Sequence, residues 1–171
     1  MTVHEPGTRE WLDQLQEDII DPKREIIDPH HHLWRGKREG RWSNYMLESL
    51  WTDTSSGHNI KKTVFVECLS SYRNDGPEHL KPIGETEFAA EISKESEKGS
   101  KNHARIAGIV SHANLTLGDV VEEILDAHEE AGLGLFKGIR HSGAWDENRD
   151  ALINPWRGEE KNFFFREDFR Q

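Results

Sequence analysis

Asp28-Pro29-His30-His31-His32 sets three imidazoles in a row directly behind the apolar pair Ile26-Ile27. Side chains of an extended strand alternate between faces, so His30 and His32 share one face and His31 takes the other. Two neutral imidazoles on one face of a strand end form half a site for zinc or another divalent ion, which binds histidine nitrogen at about 2.0–2.1 Å. Spacing alone also allows a hydrogen-bonded histidine pair or a polar loop cluster.

Two more charged residues interrupt apolar runs. Glu67 follows Thr63-Val64-Phe65-Val66, where an ionised carboxylate is costly to bury unless it is paired or faces a polar pocket. Arg140 and His141 close the run that begins at Leu135. An arginine fork suits bidentate binding of a carboxylate, either a ligand's or that of an acid on a neighbouring strand such as Glu67. His112 and Asn114 follow a third run and reach toward the same mouth, although a loop histidine is more often solvated. His4, His58, His79, His103 and His128 have no partner at a telling spacing, and His128 falls on a helix, at its surface or core edge. The chain has no Gly-rich phosphate loop, no Cys-x-x-Cys pair and no Gly-x-Ser-x-Gly elbow, which removes support for phosphoryl transfer and serine hydrolysis.

The elements that must position these residues alternate. Short runs rich in Ile, Val and Phe at 25–28, 63–69, 105–110 and 135–140 read as strands. Between the last two, Leu117, Val120, Val121, Ile124 and Leu125 share a helical face, with Thr116 and Asp119 resembling a capping box and Gly132 ending the helix. Candidate helices also occupy 45–51 and 85–95, and the polar stretch 91–101 reads as a solvated helix end and loop. Alternation of this kind predicts a parallel sheet in an α/β fold. Ahead of it, Trp11, Leu12, Leu15 and Ile19 recur at helical spacing behind Thr8, which predicts an N-terminal extension helix over 8–20.

Composition bounds the partners. The formal net charge of -10 opposes nucleic acid and anionic membrane surfaces, both of which recruit Lys and Arg. The single cysteine, Cys68, has no disulfide partner in the chain, which fits a reducing compartment. With neither a leader-like start nor a membrane-length apolar run, the expectation is a cytoplasmic protein acting on a small molecule. The 171 residues are enough for one domain, but 34% hydrophobic against 32% charged residues leaves a lean core.

In order along the chain, IIDPHHHLW, TVFVECLS, IAGIVSHANL and LFKGIRH resemble the first four strand segments of the amidohydrolase-related TIM-barrel hydrolases, in the branch that holds sugar lactonases and pyrone dicarboxylate lactonase. The resemblance spans 26–170, and its specific parts are Asp-x-His-x-His and Gly-Ile-Arg-His. It implies the first four βα units of an incomplete (β/α)8 barrel, residues 25–171, behind an extension at 1–24; a whole barrel needs about 250 residues. It also implies a hydrolase that opens a lactone or similar cyclic ester or amide with activated water. His30 and His32 would be its catalytic metal ligands, with zinc the expected ion, and Arg140, His141 and Glu67 would contact substrate. Such an ion would supply hydroxide and polarise the carbonyl. Relatives add a histidine on the fifth strand and an aspartate on the eighth, some lactonases of the branch work without metal, and neither segment is in this chain. The resemblance therefore also implies a chain inactive alone: a catalytically silent half-barrel that complements another chain or self-associates through unpaired sheet edges.

Overall fold

All four apolar runs contribute strands, although the second strand covers Asn59–Val66 rather than 63–69. In the computed structural model, which describes residues 4, 8–15, 17–36, 44–152 and 158–170, they are β1 (Glu25–His31), β2 (Asn59–Val66), β3 (Arg105–Ser111) and β4 (Phe136–Ile139). They make one four-stranded sheet in the order β1-β2-β3-β4, and each neighbouring pair is parallel. The helices are α1 (Arg9–Leu12), α2 (Leu47–Thr54), α3 (Ile83–Glu97), α4 (Val120–Gly132) and α5 (Glu167–Arg170). Strand and helix alternate from β1 to β4, so the expected α/β class with a parallel sheet is what the chain adopts.

The core lies between sheet and helices. Leu50 of α2, Phe88 and Ile92 of α3, and Phe65, Ile106 and Ile109 of the sheet are buried in one cluster. A second cluster joins Ile83, Ala113 and Ile124 beneath α4. Each buried Leu, Ile or Phe contributes about 1.5–3 kcal/mol relative to leaving it in water.

Several local expectations are corrected. The extension helix is confined to the four residues of α1: of the apolar stripe, Trp11, Leu12 and Leu15 are exposed and only Ile19, beyond the helix, is half-buried, lying beside Gly57, and tertiary burial is what sustains most helices. Residues 1–3, 5–7 and 16 of that extension lie outside the described residues. The capping box at the start of α4 does not form. Instead the Asn114 side chain accepts the Thr116 N–H in a single 3-10 turn, and Gly118 then breaks the chain with φ 55. The stretch after 91 is less solvated than its composition implies: Ser93 and Ser96 are buried, the Ser93 hydroxyl donates to the Ile106 carbonyl, and Ser96 Oγ accepts the Ile106 N–H.

β1 runs three residues beyond the expected strand, through Pro29 to His31, with a register slip against β2 between Asp28 and His31. Proline has no N–H for a ladder, and β1, bordered among the described residues by β2 alone, tolerates it as an outer strand. At the other layer, Gly84 at the start of α3 sits so close to the 71–73 loop that a Cβ would meet Arg73 N and Ser71 O at 2.6 Å.

Candidate functional site

His30, His32, Glu67, His112, Arg140 and His141 all lie at or just past the ends of the strands, and the structure brings them into two adjoining groups.

The first group holds the histidine pair. The Nε2 atoms of His30 and His32 are 3.2 Å apart, and the rings meet edge to face at 4.8 Å between centroids. His32 Nδ1 is 2.7 Å from the Val66 carbonyl oxygen. A carbonyl only accepts, so Nδ1 carries the proton, His32 Nε2 is a lone pair, and the proton between the two rings belongs to His30. Asp28 shapes this end of the strand by accepting the His30 backbone N–H at 3.1 Å. His31 faces the other way: it is 7% exposed, lies against Phe65, and burial lowers its pKa to about 4. Burial also lowers the pKa of His32, with the neighbouring His30 and Arg140 acting in the same direction.

One residue past β2, the Glu67 side chain is completely buried and meets Arg140, one residue past β4. Arg140 Nε donates to Glu67 Oε1 at 2.7 Å and Nη2 donates to the Glu67 carbonyl at 2.6 Å. Of the two partners open to this guanidinium, the structure therefore gives it the acid of a nearby strand. The pair ties β2 to β4 across the intervening β3.

Behind Glu67 stands Glu85 of α3, which sequence reading did not single out. Its Oε1 accepts the N–H groups of Cys68 and Ser70 at 3.0 and 2.8 Å, together with the Ser70 hydroxyl. It thereby holds a turn in which Leu69 and Ser71 have φ 64 and 57. Burial raises the Glu85 pKa despite these donors, and the nearby charge of Glu67 adds to the rise. Burial and Glu85 also push the Cys68 thiol up to about 12, which leaves it inert as a nucleophile.

The second group lines a cleft of about 370 Å³ at the ends of β3 and β4, walled on the far side by residues of the 158–170 segment. Its lining includes His112, Asn114, His141, Ser142, Glu159 and Phe163. His112 Nδ1 donates to the Arg140 carbonyl oxygen at 3.0 Å. In His141 the polarity is reversed: Nδ1 accepts the Leu115 N–H at 3.1 Å, and Nε2 lies 3.4 Å from Glu159 Oε1. The two rings are 5.6 Å apart. Arg140 joins the groups, since its side chain holds Glu67 while its carbonyl holds His112.

A buried relay fixes the backbone beneath this cleft. His128 is fully buried; its Nε2 donates to the His112 carbonyl at 3.0 Å, its Nδ1 is 2.8 Å from Thr86 Oγ1, and Thr86 Oγ1 is 2.6 Å from Ser111 Oγ. One proton arrangement satisfies every member: Ser111 donates to Thr86, Thr86 to His128 Nδ1, and His128 Nε2–H to the carbonyl. The expectation of a surface or core-edge His128 is corrected. Its spacing of four from Ile124, on the same helix face, was the available signal.

Two imidazole nitrogens bound to one tetrahedral zinc at about 2.05 Å lie about 3.3 Å apart, so the His30/His32 pair fits two positions of such an ion. A carbonyl that accepts the other ring N–H is the usual orienting partner of a metal-binding imidazole, and His32 has one in Val66. Among the described residues no group of three or more His, Cys, Asp or Glu side chains is arranged to hold a metal. Also among the described residues, no helix is long and apolar enough to cross a membrane. The chain matches no protein-family model, no curated protein and no solved structure.

Proposed function

We propose that the chain is the first four βα units of an amidohydrolase-type barrel, a hydrolase that opens a lactone or a similar cyclic ester or amide with water. The observation that carries this reading is the His30/His32 pair: two Nε2 atoms 3.2 Å apart at the end of the first parallel strand, with His32 oriented by the Val66 carbonyl. A parallel sheet with active groups past its strand ends is the arrangement in which α/β barrels keep their chemistry. His30 and His32 would hold a divalent ion, with zinc suited to imidazole nitrogen. Bound there, the ion would supply an acidified water and polarise a carbonyl. Arg140 keeps Glu67 neutralised beside the pair, and His141 stands ready to donate to the substrate from Nε2.

A second reading is a half-barrel that complements another chain. It is favoured by β1 and β4 each having one strand neighbour among the described residues. The two readings separate on turnover of dihydrocoumarin, an aryl lactone, by the full chain with and without added zinc. Turnover lost in His32→Ala supports the hydrolase, whereas its absence in the wild-type chain leaves the complementing half-barrel.

A further inference from the structure

We infer that the cleft selects a neutral ligand with an apolar ring body, an aryl- or alkyl-substituted lactone rather than an anionic or polyhydroxylated one, and that Leu69 is the residue that selects it. That the ligand is a lactone rests on the hydrolase reading above; that it is apolar and uncharged rests on the cleft alone. His30 and His32 keep the ion, and Leu69 meets the part of the substrate that does not react.

Charge disfavours an anion. Arg166, the arginine that lines the cleft, donates from Nε and Nη2 to Asp168 at 2.9 and 2.6 Å, and its Nη1 is 3.7 Å from Glu160. Arg140 is engaged by Glu67. Neither guanidinium is left to grip a substrate carboxylate, and Glu159 in the same lining repels one.

Leu69 supplies an apolar wall under strain. Its φ of 64 lies in the left-handed region, where a branched side chain crowds its own backbone, and Ser71 has φ 57. The Leu69 side chain is nonetheless exposed and lines the cleft, as Phe163 also does. A strained apolar residue left in contact with water gains little from the core, and strain held at the wall of a cavity points to a ligand as its use. The volume of about 370 Å³ accommodates a bicyclic ring. His141, whose Nδ1 accepts the Leu115 N–H, offers its Nε2–H to the carbonyl edge of such a ring.

The turn is held from within the fold. Buried Glu85 accepts the N–H groups of Cys68 and Ser70, on either side of Leu69, at 3.0 and 2.8 Å. Further along, the Arg73 N–H donates to the Lys81 carbonyl at 2.9 Å, and Gly84 lets the 71–73 loop lie against α3. One oxygen that bridges the amides flanking a single residue fixes the direction of that residue. Glu85 is therefore a positioning residue for Leu69.

The test needs a probe that binds without reacting. Chroman, the dihydrocoumarin bicycle without its carbonyl, is titrated into the full chain while methyl NMR follows Leu69. Chroman should shift the Leu69 methyl signals saturably, and naphthoate, an anionic bicycle, and gluconolactone, a polyhydroxylated ring, should bind about tenfold more weakly. Leu69→Asn, close in size and tolerant of positive φ, should weaken chroman about tenfold while keeping or raising the unfolding temperature. A side chain that merely packed would lower the unfolding temperature as well. Glu85→Gln, which keeps the accepting oxygen, should bind chroman like the wild-type chain, whereas Glu85→Leu should not. Wild-type affinity in Leu69→Asn, unshifted methyl signals, or tighter binding of naphthoate overturns the apolar site. Chroman binding with no turnover of dihydrocoumarin overturns the hydrolase reading alone, and turnover with no chroman binding overturns the apolar site alone.

Discussion

Arg140 Nε lies 2.7 Å from Oε1 of Glu67, a carboxylate with no solvent exposure at all. Removing one member of a buried pair costs about 3–5 kcal/mol, because the remaining charge keeps its desolvation penalty without its partner. The Arg140 side chain is 34% exposed, so solvent screens part of the interaction and Arg140→Met should destabilise by about 3 kcal/mol. Glu67→Gln in that background should recover much of the loss. Urea titration of the two single variants and the double variant measures the coupling, and equal, additive losses would contradict the pairing.

Acid should weaken the fold as its buried histidines are protonated. His31 has a pKa of about 4 in the folded chain against an ordinary 6.5, and burial depresses His128 as well. Between these pH values the unfolded chain binds protons that the folded one refuses. Stability is therefore full above about pH 6.5 and falls as pH drops through the window toward 4, by roughly 1.4 kcal/mol per pH unit for each such group. His31→Phe should flatten the slope by about one proton. An unchanged slope in that variant would place the proton uptake elsewhere.

Zinc should bind weakly, since two imidazoles are fewer than the three protein ligands of catalytic sites. Titration should move the ring signals of His30 and His32 together and leave those of His112 and His141 in place. One ion per chain surviving dialysis, and lost in His30→Ala, would mean that a third ligand joins the pair.

Gly84→Ala should cost about 1–3 kcal/mol, the range for overpacking, because the atoms its Cβ would meet, Arg73 N and Ser71 O, are backbone that cannot rotate away. Calorimetry against an exposed control such as Gly76→Ala, where nothing lies within 4 Å but φ is 82, separates crowding from backbone strain.

The chain should self-associate through its open sheet. Ile27 on outer strand β1 is 62% exposed, and Phe164 and Phe165 are exposed as well. Repulsion from the net charge of -10 is screened beyond about 8 Å at physiological salt, so association should strengthen as salt rises. Ile27→Lys should weaken it. A monomer at high salt and high concentration, by sedimentation, would show that the edges are protected.

What the sequence disclosed was periodic. The alternation of Ile, Val and Phe runs with amphipathic stretches was enough for the parallel sheet and for the shared face of His30 and His32, because both depend on spacing alone. The Glu67–Arg140 contact was visible as one of two options, since a carboxylate inside an apolar run needs a cation nearby. Glu85 was not legible, since it lies on a helix and its burial is decided by which neighbour packs on that turn; for His128 the one signal was its spacing of four from Ile124. Nor was the helix over 8–20 correctly bounded, since apolar spacing does not say whether a partner surface exists. The polarity of His112 against that of His141 depends on single backbone groups 28 and 26 residues away in sequence, beyond any local pattern.

In this sheet, order in space equals order in the chain, so every strand lies beside the one that precedes it. During synthesis each emerging strand and helix therefore finds its docking edge already built, and no strand must wait for a segment still inside the ribosome. Growth of the nascent chain can proceed by accretion from β1. A stalled ribosome from which the chain has emerged through Leu133 should already hold a three-stranded, protease-resistant intermediate.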